Sequence, residues 1–161
     1  MAHRIQQFFL RILSIEPNRE KRARSIAVGM AIALSPLLGI QTPALFAAAF
    51  LFRLNAGVVF AVVYAVNNPW TMVPIIIINY FLGELLIGCL LGIDLRPYDP
   101  AWSVWVTEKI AHYTGMKQLC FWYYCIGGTI IALISGILTY IAIKTIQDIT
   151  VAKPREDNHP K

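Results

Sequence analysis

Residues Ser35–Pro43 read SPLLGIQTP, and Asn67–Pro74 read NNPWTMVP. Each polar, proline-bearing stretch interrupts apolar residues that otherwise suit a membrane-spanning helix. A proline inside a helix removes a hydrogen-bond donor and clashes with the preceding turn. Backbone freed in this way survives at membrane depth only when buried in protein or lining a wet cavity. The runs beside the breaks are short, 9 residues for Ile26–Leu34 and 11 for Ala56–Val66. The longer one reaches about 16 Å at ~1.5 Å per residue, roughly half the hydrocarbon thickness. Both breaks are therefore expected near the bilayer midplane, as in the discontinuous helices that form transporter sites. A second reading stays open. RLNAG and NNPW also look like turns, in which case the prolines end ordinary helices and three tight crossings precede Asp94.

The two broken units correspond weakly. Pro36 and Pro69 are 33 residues apart, and Pro43 and Pro74 are 31 apart. Arg53 lies ten residues past Pro43, and Glu84 lies ten past Pro74. This spacing predicts an internal repeat over residues 25–55 and 56–92, with structural breaks at Pro36, Gly39, Pro43, Pro69 and Pro74. Free amides at a half-helix N-terminus attract anions. Arg53 would add a cation, and Gln41, Thr42, Asn55, Asn68 and Thr71 would add neutral polar groups, making a substrate site. A charge at the centre of a membrane helix costs roughly 2.5–3.5 kcal/mol. If deep, Arg53 and Glu84 are expected to pair with each other or with a ligand. Near the interface, Arg53 snorkels and needs no partner.

Composition points to a membrane. Of 161 residues, 57% are hydrophobic and 14% charged, and the mean hydropathy is +0.58. Soluble domains carry about 25% charged residues. The net charge of +5 is uneven, and between Ser25 and Gly83 the sole charged residue is Arg53. Arg4, Arg11, Arg19, Lys21, Arg22 and Arg24 precede that stretch, against Glu16 and Glu20. A basic flank beside an apolar region marks the cytoplasmic side, so residues 1–24 are read as a juxtamembrane segment. Ile5, Phe8, Phe9 and Ile12 fall at helical spacing, which suits a short interfacial amphipathic helix; a frayed leader is the alternative. The run FFLRIL is too short and too broken by Arg11 for a secretory leader. No nucleic-acid-binding motif accompanies the basic residues, and no nucleic-acid partner is expected.

Leu119 to Ile143 carries no charge over 25 residues. About 20 residues cross the hydrocarbon core, so residues 119–144 are predicted to be a transmembrane helix, with 145–161 a polar tail. Gly128, Ala132 and Gly136 form a small-residue ribbon on it, which lets helices approach closely. The ribbon serves packing within the chain or a homodimer seam. Residues 93–118 form a polar connection. In it Asp99 can cap a helix that Pro100 opens and Gly115 ends. Trp102, Trp105, Val106, Ile110 and Tyr113 share one face of that helix, as an interfacial helix requires. Cys89, Cys120 and Cys125 lie in apolar segments without metal-ligand spacing. No cofactor or metal is expected. His3, His112 and His159 all lie outside the apolar core, so catalysis has no obvious base or nucleophile. The fold class is an all-α integral membrane protein: two Pro-broken apolar helical units over 25–92 and a C-terminal transmembrane helix.

These residues resemble a known family. Ala27, Gly29 and Ala31 match an A-x-G-x-A entry, and Pro36, Gly39, Gln41 and Thr42 match a P-x-x-G-x-Q/H-T turn. Arg53 and Asn55 match R-x-N. Asn68, Pro69, Thr71 and Pro74 match N-P-x-T-x-x-P, followed by Tyr80 and Gly83. The pattern is similar to the bacterial domain-of-unknown-function family 2062, over about residues 17–92 and more loosely the last helix. A departure is Ala33, near which many members carry a further glycine. The resemblance implies a small multi-pass protein of the bacterial inner membrane, with no mechanism. Some members are joined to glycosyltransferase-like domains, which implies envelope polysaccharide or lipid-linked sugar chemistry nearby.

Two functions follow as expectations. The first is a small carrier or flippase-like protein for an anionic or lipid-linked phosphate substrate, with Arg53 binding the anion. The second is a non-transporting membrane module that recruits or stabilises an envelope enzyme through the Gly128, Ala132 and Gly136 ribbon. A carrier requires Arg53, Gln41 and Asn68 to face one cavity, whereas a module does not.

Overall fold

The computed structural model describes residues 17–37, 39–115 and 119–152, and all the regular structure among them is helical. The amphipathic segment expected before residue 17 lies outside the described residues. Six helices are labelled here in chain order: α1 (Arg19–Leu34), α2 (Gln41–Leu51), α3 (Ala56–Val66), α4 (Pro69–Gly83), α5 (Ala101–Thr114) and α6 (Phe121–Ala152). A wide π-type segment, Glu84–Leu90, continues α4, and a 3-10 turn covers Arg96–Tyr98.

Local chemistry sets the helix ends. The Asn18 side chain accepts from the Lys21 amide and starts α1. Ser35 ends it in an extended conformation, because the residue before a proline is pushed out of the helical region. Pro43 falls in the first turn of α2, where a missing amide costs nothing. Asn55 opens α3 by accepting from the amides of Gly57 and Val58. Asn68 opens α4 through a reciprocal capping box with Thr71, with Pro69 at the first helical position.

Pro74 differs from the expectation. It lies inside a continuous α4 on its exposed side, and breaks nothing. The helical period ran on through it, so the sequence spacing overstated the second break. The two units also fold differently. α1 and α2 pack against each other, while α3 packs on α1 and α2 and not appreciably on α4. The spacing of prolines thus repeats without a repeated structure.

The long helix α6 is the spine. α1 packs along its C-terminal part and α4 along its N-terminal part. Contact is at backbone distance. A Cβ on Gly83 would lie 1.9 Å from the Tyr123 carbonyl oxygen, and one on Gly127 would lie 1.9 Å from that of Asn79. The ribbon faces the same chain: Gly128 abuts Pro36 and Asn79, and Gly136 abuts Ala31 and Ala27. Ile32, Leu45, Ala49, Leu54, Val59 and Val63 form the core between α1, α2 and α3.

Two helices are long and apolar enough to cross a membrane, Pro69–Leu90 and Phe121–Ile149. The second runs past the uncharged stretch, and α6 continues to Ala152 inside what reads as polar tail. At 11 residues each, α2 and α3 reach only about 16 Å.

Candidate functional site

The three-helix unit α1–α2–α3 has two polar ends. At the basic end the Asn55 amide donates to Ser25 Oγ at 3.0 Å, and Ser25 in turn donates to the Lys21 carbonyl. This pins the Phe52–Asn55 turn beside the start of α1. Arg53 sits in that turn with φ +52°, the left-handed region that costs a non-glycine residue about 1–2 kcal/mol. Its guanidinium is exposed and, among the described residues, has no hydrogen-bond or ion-pair partner. It shares an open cleft of about 770 Å³ with Lys21, walled by Phe46, Phe50 and Leu51.

The break end holds the other predicted residues. Asn67 Nδ2 donates to Gln41 Oε1 at 2.9 Å, tying the end of α3 to the start of α2. Thr42 and Tyr64 share a hydroxyl hydrogen bond of 2.8 Å. Asn68 Oδ1 accepts from the Trp70 and Thr71 amides at the start of α4, Thr71 Oγ1 accepts from the Asn68 amide, and the Thr71 hydroxyl also donates to the Val66 carbonyl. The six candidate ligands therefore separate. Arg53 and Asn55 lie at one end of α2, and Gln41, Thr42, Asn68 and Thr71 lie at the other, about 16 Å away by helix rise. Asn55, Asn68 and Thr71 spend their polar groups as helix caps. The sequence pattern could not separate a capping asparagine from a ligand, because both need a polar side chain at a break.

Glu84 is a second correction. Its Oε1 accepts from Arg96 at 3.0 Å, not from Arg53. The pair sits where α4 widens into the π segment, near Tyr80 and Tyr123. A cleft of about 270 Å³ opens there, bordered by Glu84, Gly88, Asp94, Arg96 and Tyr123. The Arg96 guanidinium is pushed up from its usual value, first by its hydrogen bond with Tyr80. Asp94 accepts from the Arg96 amide, and Tyr123 Oη donates to the Ile93 carbonyl at 3.0 Å. Asp99 also differs from the expectation. Its carboxylate accepts from the Phe121 amide at 3.1 and 3.2 Å and caps α6, while α5 begins without a side-chain cap. Gly115, with φ +72°, ends α5 as its sequence implies.

Several participants were missed in the sequence. Asn79 is fully buried and donates to the Leu34 carbonyl at 3.1 Å; its signal was a lone amide within IIIINYFLG. Lys21, part of the basic flank in the sequence, stands on the same cleft as Arg53. At the basic end Glu20 accepts from Tyr140 at 2.7 Å and pairs with Arg24 and Lys144. The Tyr140 hydrogen bond leads in holding the Glu20 carboxyl below its usual value. Trp102 and Trp105 are exposed on α5, with the Lys109 ammonium 4.8 Å from the Trp105 ring centre. Cys89, Cys120 and Cys125 are free thiols. Among the described residues, no group of three His, Cys, Asp or Glu side chains gathers at metal-binding distance.

A family model described as "Uncharacterized protein conserved in bacteria (DUF2062)" matches residues 2–156. That span takes in α5 and α6 as well as the broken-helix region. No curated protein and no solved structure matches the chain.

Proposed function

The chain belongs to this uncharacterized bacterial family, and we propose that it is a multi-pass inner-membrane protein that holds a phosphate-bearing anionic lipid at its basic end. The N-terminus and that end are then cytoplasmic, following the excess of Lys and Arg there. Membrane residence is supported by the two long apolar helices and by their exposed apolar side chains, such as Ile78, Phe81, Leu133 and Ile137.

The observation that carries the binding role is Arg53. Its guanidinium, without a partner among the described residues, shares a cleft with Lys21 and three large apolar side chains. Cations above an apolar wall, at the level of the lipid headgroups, suit a phosphate joined to an acyl chain. Passage across the bilayer has less support. A carrier needs Arg53, Gln41 and Asn68 around one cavity, and they stand at opposite ends of α2. We therefore propose binding rather than transport, and no catalytic step.

The test is purification in mild detergent with mass spectrometry of retained lipid, beside Arg53→Ala. Loss of one charge-assisted contact should deplete anionic phospholipid about tenfold in the variant. Equal retention by both proteins overturns the reading. A stoichiometric envelope enzyme held equally by both would favour recruitment instead.

A further inference from the structure

A second cleft, of about 410 Å³, lies between α1 and α6. Its floor is Ala27, Ala31, Ala132 and Gly136, and its exposed rim is Leu133 and Ile137. The small residues bring the two helices close and leave a trough that no large side chain fills. Phe52 and Leu54, on either side of Arg53, close one flank. Leu54 borders both this trough and the cleft of Lys21 and Arg53. Arg24 and Tyr140 stand at the trough's basic end. Arg24 commits its Nε to Glu20, and guanidinium has further donors to offer.

We propose that the trough seats one acyl chain of the phospholipid whose phosphate lies between Lys21 and Arg53. This rests on the phosphate-binding reading above and names the rest of its ligand. An apolar trough left empty loses dispersion contacts along its whole wall. Lipid tails are as apolar as the trough, so the chain adds shape but no hydrophobic drive. Selection then lies with the cations at the mouth. A second copy in the same membrane orientation is a poorer occupant, because a two-fold contact would set two basic ends side by side. The residues before Pro17 are poorer too, since they carry Arg4 and Arg11.

The test places a photoreactive benzoylphenylalanine at Ile137, an exposed rim position, in full-length protein. The protein is reconstituted in vesicles with equal amounts of phosphatidylglycerol and a phosphate-free galactolipid. Phosphatidylglycerol adducts should exceed galactolipid adducts about tenfold, the worth of one charge-assisted contact. Arg53→Ala should bring the two near parity. A probe at Leu133 should repeat the pattern, which guards against a local folding fault. Equal adducts in the unsubstituted background, or adducts to a second copy or to the chain's own N-terminal residues, overturn the acyl seat. If detergent-retained lipid still depends on Arg53 in that case, the phosphate cleft stands and the trough assignment alone falls. If retention is independent of Arg53, both fall.

Discussion

The side-chain amide of Asn79, buried in α4, donates to the carbonyl of Leu34, the last residue of α1, across 3.1 Å. α1 ends at Leu34, so this carbonyl is one of those at a helix C-terminus that no amide within the helix reaches. Asn79 supplies one from a distant part of the chain. The two elements then follow one another along α6, α1 against Gly136 and the latter part of α4 against Gly127.

Asn79→Leu should therefore strand that carbonyl in an apolar setting. Buried polar groups left unpaired cost about 1–3 kcal/mol, and interhelical hydrogen bonds within membranes sit near the lower end of that range. Unfolding by denaturing detergent should show the loss. A variant as stable as the wild type would mean that the carbonyl finds another donor.

The glycines should differ sharply. Gly83→Ala sets a methyl 1.9 Å from the Tyr123 carbonyl, so α4 and α6 must separate. We expect a loss of about 3 kcal/mol or more. Gly88→Ala meets side chains alone, nearest the far end of Tyr123 at 3.3 Å, with Glu84 Cγ at 3.7 Å. The helix-propensity gain of about 1 kcal/mol should leave it close to neutral. Equal melting behaviour in the two variants would contradict this packing.

Asp99→Ala should cost about 1 kcal/mol, as loss of a helix cap does, with further loss from removing a negative charge near an N-terminal helix end. Asp99→Asn should retain part of the cap. Urea or thermal unfolding of the pair distinguishes them. Asp99→Ala as stable as the wild type would mean that the carboxylate does not cap α6.

Glu20 makes stability depend on pH. Its carboxyl is held below the usual value of 4.5, above all by Tyr140. A lowered folded value contributes stability that is complete above the unfolded value and is lost as pH falls through the folded one. Wild type should therefore lose more stability than Glu20→Gln on acidification below 4.5. Tyr140→Phe should weaken this dependence. Parallel pH profiles for wild type and Glu20→Gln would refute the role.

The Gln41–Asn67 bond should couple the two breaks. A double-mutant cycle with Gln41→Ala and Asn67→Ala should give an interaction of about 0.5–1 kcal/mol. Additive effects would mean that the bond does not hold α2 to α3.

The sequence by itself determined the local events. Pro36 and Pro69 mark breaks, Gly115 marks a helix end, and the uncharged run from Leu119 marks a helix long and apolar enough to cross a membrane. These follow from neighbouring residues alone: a proline lacks an amide, a glycine accepts positive φ, and a run of apolar residues is read from composition. Tertiary structure decided which polar groups meet. Arg53 and Gln41 are only twelve residues apart, so sequence proximity suggested one site; the intervening helix α2 put them at opposite ends. Glu84 found Arg96 rather than Arg53, and Asp99 capped α6 rather than α5, because partner choice depends on distances across the fold. The Asn79 side-chain amide met the carbonyl at the broken end of α1, and no local pattern encodes a partner 45 residues away.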